Sequence, residues 1–169
     1  MLLDGAFKMV SFYDLRTVKW KRGAVYLIDQ TQLPRRLRYV ECEDYKQLAE
    51  AVKNMVVRGA PAIGVAAAMG LALAAYHSKA RTKHKLLKEL SVVRRVLQET
   101  RPTGMNLFWA LSRVMEKARS VKGDAKAVVK AVIEEARCMA DEDVEANHRI
   151  GRFGADLLQD GDVVLTHCN

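Results

Sequence analysis

"MVVRGAPAIGVAAAMGLALAAY", residues 55–76, decides the fold. One cation, Arg58, precedes Gly59, Ala60 and Pro61, and a run of mostly alanine and glycine follows as far as Tyr76. A membrane span needs about 20 strongly apolar residues, so residues 60–76 read instead as a helix packed inside a domain. Pro61 suits the first helical position, and the helix is predicted to reach about Ser78. Its small side chains allow neighbouring backbones to approach closely. Arg58 admits two readings: a solvated loop arginine, or a ligand for an anion. The second rests on its neighbours, because Gly59 and Ala60 leave backbone N–H groups accessible and the helix start carries partial positive charge. A guanidinium beside such a terminus makes a phosphate site with bidentate reach that lysine lacks.

Upstream of that helix the pattern turns β-rich. "TVKW" (17–20) and "AVYLID" (24–29) flank "KRG", a hairpin turn with Gly23 in the left-handed position, and "LRYVEC" (37–42) adds a third strand. Asp44 opens a helix with Gln47 as its capping-box partner, and Gly59 and Pro61 stop it near Val57. Downstream, Leu86, Leu87, Leu90, Val93 and Leu97 mark a helix over about 82–99. "RPTG" (101–104) breaks the chain before a helix over 106–121. Asp124 caps a long helix to about Asn147, and a shorter one runs to Leu158. "VVL" (163–165) reads as a strand buried on both faces of a parallel sheet, yet no earlier segment offers a parallel partner. The expectation is that an α/β domain begins there and that most of it lies outside this chain.

Arg101 repeats the logic of Arg58, since it precedes a Pro-Thr-Gly turn and a helix start, with Thr103 and Asn106 nearby. A plain turn arginine is its other reading. Cys168 stands at the carboxyl end of the expected strand, where open α/β sheets place their ligands; an inert buried cysteine is the alternative. His167 points to the opposite strand face and does not pair with it. His77, His84 and His148 lack metal-ligand spacing, and Cys42, Cys138 and Cys168 form no Cys-x-x-Cys pair, so neither a metal nor a disulfide framework is indicated. The 169 residues are half hydrophobic and 28% charged, the composition of a soluble globular protein. The first ten residues include Asp4 and Lys8 and no sustained apolar core, which argues against a signal peptide, and the dispersed cysteines point to a reducing cytoplasm. The net charge of +8 gathers in "KARTKHKLLK" (79–88), which reads as a solvated helix face. No interleaved aromatics or recognition motif accompanies that run, so neither a nucleic acid nor a membrane is the expected partner.

Five blocks carry a family resemblance: "IDQTQLP", "NMVVRGAPAIGVAAAMGLALAA", "RPTGMNLFWAL", "DVEANHRIGRFGADLL" and "VVLTHCN". In order and spacing, from about Thr17 to Asn169, they resemble the methylthioribose-1-phosphate isomerases of methionine salvage. Those enzymes share a superfamily with ribose-1,5-bisphosphate isomerase and with regulatory subunits of a translational guanine-nucleotide exchange factor. The resemblance implies that Arg58, Gly59, Ala60 and Arg101 contact the substrate and that Cys168 is catalytic. A second catalytic residue, an aspartate, would lie in a C-terminal Rossmann-like domain. The implied organisation is mixed: an N-terminal extension and small β region (1–43), a helical domain (44–160), and the first strand of the Rossmann-like α/β domain (161–169), whose remainder is absent from this chain. A second polypeptide carrying the C-terminal half is therefore expected, with a homodimer of the complete protein and a small phosphosugar as substrate.

The implied reaction converts an aldose 1-phosphate to a ketose 1-phosphate. Phosphate on the anomeric oxygen locks the ring, so an acid must open it before hydrogen moves from C2 to C1. Such a scheme asks for an anion cradle and two proton-exchanging groups, and for no cofactor or metal. The ribose-1,5-bisphosphate isomerase reading ranks lower because the "RTVKW…LIDQTQLP" block is similar to the methylthioribose enzymes. A regulatory subunit has no need of the phosphosugar cradle and thiol.

Overall fold

The computed structural model describes residues 15–167. Three short strands come first: β1 (Val18–Lys21), β2 (Ala24–Ile28) and β3 (Tyr39–Cys42), antiparallel in the order β1-β2-β3. The hairpin between β1 and β2 turns on Arg22 and Gly23, with φ of 52° and 81°. Two left-handed residues give the turn whose twist matches the flanking strands. The register sets Val18 opposite Leu27 and Val25 opposite Cys42, so the alternating apolar residues share the face that meets the helices.

Five helices follow: α1 (Tyr45–Lys53), α2 (Ala60–His77), α3 (Lys83–Thr100), α4 (Met105–Ser120) and α5 (Ala125–Ala155). Asp44 caps α1 by accepting from the N–H groups of Lys46 and Gln47, and Gln47 accepts in return from Glu43 N at 2.8 Å. Every residue of α2 from Ile63 to Leu73 is buried, and the helix packs against α1, α3, α4, α5 and the first two strands. By length and composition it could cross a membrane, but two thirds of it (67%) is buried among these partners, as expected for an internal helix. Pro61 occupies its second position rather than its first. Leu48, Leu86, Leu90, Leu97, Leu107 and Leu111 are fully buried around it, and Val18, Val25 and Leu27 of the sheet join the same cluster.

The extent of the last helix is corrected. The break near Asn147 does not occur, and α5 runs 31 residues without interruption. Asn147 keeps its side chain on the helix, donating to Asp143 O at 2.8 Å. Gly151 and Gly154 each cost only about 1 kcal/mol relative to alanine, too little to stop a helix that has no proline. Residues 163–165, expected to pair with strands outside this chain, find no partner among the described residues. Residues 162–167 carry no ladder, and Val163 and Leu165 are 99% and 96% exposed. A strand exists only by pairing, and the sheet among the described residues is completed by β1, β2 and β3.

Candidate functional site

The helix starts fall into two kinds. Asp44, Thr82 and Asp124 cap α1, α3 and α5 through their side chains. The helices α2 and α4 begin instead at Gly59 and Gly104, with no side-chain cap. Their first-turn N–H groups therefore lack the internal acceptor that the other three possess. These are also the two helices whose entry loops carry Arg58 and Arg101. Gly59 takes φ 91°, a left-handed geometry costly to any residue with a Cβ, so the chain enters α2 with its backbone bare.

Packing brings the two starts together. A Cβ built on Gly64 would lie 3.0 Å from the carbonyl oxygen of Asn106, so the second turn of α2 rests on the first turn of α4. Arg101 ends α3, and its carbonyl accepts from Gly104 N at 2.9 Å, closing the turn predicted from "RPTG". Arg58 is exposed and Arg101 half-buried. Among the described residues, neither guanidinium has an ion-pair or hydrogen-bond partner.

Gln30 is the residue that sequence reasoning missed. Its side-chain amide donates to Arg58 O at 3.1 Å, and its own N–H donates to Val56 O at 2.9 Å. The residue after β2 thus clamps the loop that presents Arg58. Asp29 holds the neighbouring turn, accepting from Thr31 N at 3.1 Å and Thr31 Oγ1 at 2.6 Å. The only available signal was that both residues lie in the "IDQTQLP" block.

Beside the paired starts stands a charged cluster on α4 and α5. Arg113 donates through Nε to Glu135 at 2.7 Å and through both terminal nitrogens to Glu142, at 2.5 and 2.8 Å. The Arg113 hydrogen bonds, outweighing burial, pull the Glu142 carboxyl down to about 2. Burial raises the neighbouring Asp143 carboxyl from its ordinary value, partly offset by Asn147. The Cys138 thiol donates to Glu142 at 3.3 Å, which raises its pKa. Desolvation first, then Asp44, pushes the Cys42 thiol up to about 11. Neither thiol is poised as a thiolate. Among the described residues, no three His, Cys, Asp or Glu side chains gather to hold a metal ion. Cys168 lies outside the described residues; His167 is exposed.

The sequence model of the Initiation factor 2 subunit family matches residues 56–169, a span that includes both arginine loops. The chain belongs to that family. Within it, the chain is similar to the methylthioribose-1-phosphate isomerase of Thermosipho africanus, at 47% identity over 153 residues, covering 90% of this chain and 44% of that protein. It is 48% identical over 155 residues to the putative methylthioribose-1-phosphate isomerase of Pyrococcus furiosus, covering 91% and 43%. Two solved structures share the family fold. One is the 5-methylthioribose 1-phosphate isomerase of Pyrococcus horikoshii, with TM-score 0.82, 44% identity and coverage of 86% and 41%. The other is the translation initiation factor eIF-2B, subunit delta, of A. fulgidus, with TM-score 0.84, 42% identity and coverage of 92% and 45%. The chain thus spans less than half the length of these curated relatives.

Proposed function

We propose that this chain is the phosphate-gripping half of an isomerase that converts 5-methylthioribose 1-phosphate to 5-methylthioribulose 1-phosphate. The observation that carries the reading is the pair of glycine-started helices, each behind an arginine, packed against one another. Two sets of open N–H groups and two guanidiniums suit the oxygens of one phosphate. Gly59 and Ala60 give the backbone access, Gln30 holds Arg58 in place, and Arg101 comes in from α3. The names of the curated relatives support this choice of substrate. Cys168 serves as the acid that opens the sugar ring, a role open to a thiol whose ordinary pKa is about 8.5. The aspartate that completes hydrogen transfer from C2 to C1 comes from a Rossmann-like half carried by further polypeptide. Residues 163–165 become its first strand once they have a partner. The complete protein works as a cytoplasmic homodimer. Exposed Ile150, Phe153 and Leu157 at the end of α5, with Val163 and Leu165, support a large covering partner, because soluble proteins rarely leave such a row uncovered.

Turnover by the complete protein, followed by NMR of the sugar, tests this reading. The wild type converts the aldose phosphate, and Arg58→Ala and Arg101→Ala each weaken its binding by roughly 1.5–3 kcal/mol, the range for a charge-assisted contact. Cys168→Ser abolishes turnover with an unchanged circular dichroism spectrum. Likeness to the A. fulgidus eIF-2B delta subunit favours a second reading, a regulatory subunit of translation initiation. Absence of turnover together with binding to a nucleotide-exchange complex would establish that reading instead.

A further inference from the structure

We propose that a cavity between α2, α4 and α5 is the subsite for the thioether arm of the substrate, with Trp109 as its specificity-determining residue. The inference rests on the isomerase reading and names the part of the site that recognises the end of the sugar remote from phosphate.

Position comes first. The cavity holds about 220 Å³ and is lined on α2 by Pro61, Gly64 and Val65 and on α4 by Asn106 and Trp109. Pro61 lies two residues beyond Gly59, and Asn106 two beyond Gly104, about 3 Å of rise along each helix. The cavity therefore adjoins the first turns that would hold the phosphate. A small sugar phosphate anchored at those starts has its other end within reach of the cavity.

Chemistry comes second. Pro61, Val65, Trp109 and Met139 form an apolar lining suited to a methylthio group. Sulfur against an aromatic ring is a favourable contact, and a methionine adapts to an irregular apolar guest. Trp109 is 57% exposed, an unusual position for so large an apolar side chain. The Arg113 guanidinium lies over its ring, 5.6 Å from the centroid, and is itself fixed by Glu135 and Glu142. The indole is thus steadied from one side while remaining open to a ligand.

Charge comes third, and it discriminates. The titratable groups lining the cavity are Glu142 and Asp143, both acidic. The adjacent cation, Arg113, already makes three hydrogen bonds to carboxylates. A second phosphate at the remote end of the sugar would meet carboxylates and a cation already engaged, whereas an uncharged thioether escapes that penalty. The same cavity that accepts the methylthio arm turns away a sugar bisphosphate.

The test compares two substrates in the complete protein: 5-methylthioribose 1-phosphate and 5-deoxyribose 1-phosphate, which keeps the phosphate and ring but lacks the methylthio group. Wild type favours the thioether in kcat/KM by roughly 10- to 200-fold, the range for a small apolar group in a hydrophobic pocket. Trp109→Ala lowers kcat/KM for the thioether sugar far more than for the deoxy sugar, removing most of that preference, and Trp109→Phe restores it. Because the side chain is largely exposed, the fold should survive, and circular dichroism checks this. Trp109→Arg, which puts a cation at the cavity, raises turnover of ribose 1,5-bisphosphate relative to wild type. If Trp109→Ala slows both sugar 1-phosphates equally, or leaves the preference intact, the subsite is overturned while the isomerase reading stands. If the wild type turns over neither sugar, the isomerase reading falls and takes the subsite with it.

Discussion

Replacing Gly64 with alanine tests the contact that brings the two glycine-started helices together. The added Cβ would sit 3.0 Å from Asn106 O, 3.4 Å from its carbonyl carbon and 3.5 Å from its Cβ. Two of those three atoms are backbone and cannot rotate away, so α4 must move by a few tenths of an ångström. Overpacking of that kind typically costs about 1–3 kcal/mol. Against it stands the gain of about 1 kcal/mol that alanine brings to a helix interior over glycine. Gly151 supplies the control, since it also lies within a helix but has nothing within 4 Å of the built Cβ. Gly151→Ala should therefore raise stability by about 0.5–1 kcal/mol, while Gly64→Ala should be neutral to destabilising by up to about 2 kcal/mol after subtracting the propensity gain from the packing cost. Urea denaturation reads both, because a slope of about 1–3 kcal/mol/M turns such differences into resolvable midpoint shifts. Equal stabilisation by the two substitutions would refute the close approach of α2 to α4, and with it the argument that Arg58 and Arg101 serve one anion.

Two further outcomes follow from named contacts. Under the proposed isomerase reading, Gln30→Ala removes the donor to Arg58 O, and the complete protein should then show a higher KM for the phosphosugar with kcat little changed, by a factor consistent with about 1 kcal/mol; an unchanged KM would mean that the loop holds its shape without the clamp. Glu142 is held down to about 2 from 4.5 in the folded protein, chiefly by its hydrogen bonds to Arg113. A depressed carboxylate stabilises the fold above its unfolded pKa, and that contribution fades as pH falls from about 4.5 towards 2. Since the side chain is 49% exposed, solvent screening limits the effect to about 1 kcal/mol. The stability gap between wild type and Glu142→Gln should accordingly be largest near neutrality and close across that window; a gap independent of pH would place the effect in packing rather than charge.

The helices were legible because their apolar spacing is strong and their punctuation unambiguous. Asp44 and Asp124 cap as the sequence predicts, and the Pro-Thr-Gly turn separates α3 from α4 as expected. The end of α5 was not legible, because glycines and an asparagine weaken a helix without stopping it, and continued packing of its earlier turns carries it through. Residues 163–165 stand apart: β-branched composition states a preference, while a ladder requires a neighbour, and the described residues supply none. At the site, Arg58 and Arg101 could be singled out because each stands close before a glycine at a helix start. Gln30 could not, since its role depends on a contact 28 residues along the chain. The same holds for Trp109, whose surroundings come from three helices at once.

The composition of α2 bears on how the chain is made. During synthesis this segment emerges before α3, α4 and α5 exist to bury it, and it is then an 18-residue stretch without acidic or lysine and arginine side chains, in search of an apolar environment. Leucine, isoleucine, phenylalanine and valine drive insertion by the translocon, whereas α2 contains only Ile63, Val65, Leu71 and Leu73 from that group and is otherwise mostly alanine and glycine. The small residues that let α4 press close also keep the nascent segment a weak signal for membrane targeting. Leucines at Ala66, Ala67 and Ala68 would overfill the bundle and, at the ribosome, present the secretion machinery with a segment fit for insertion.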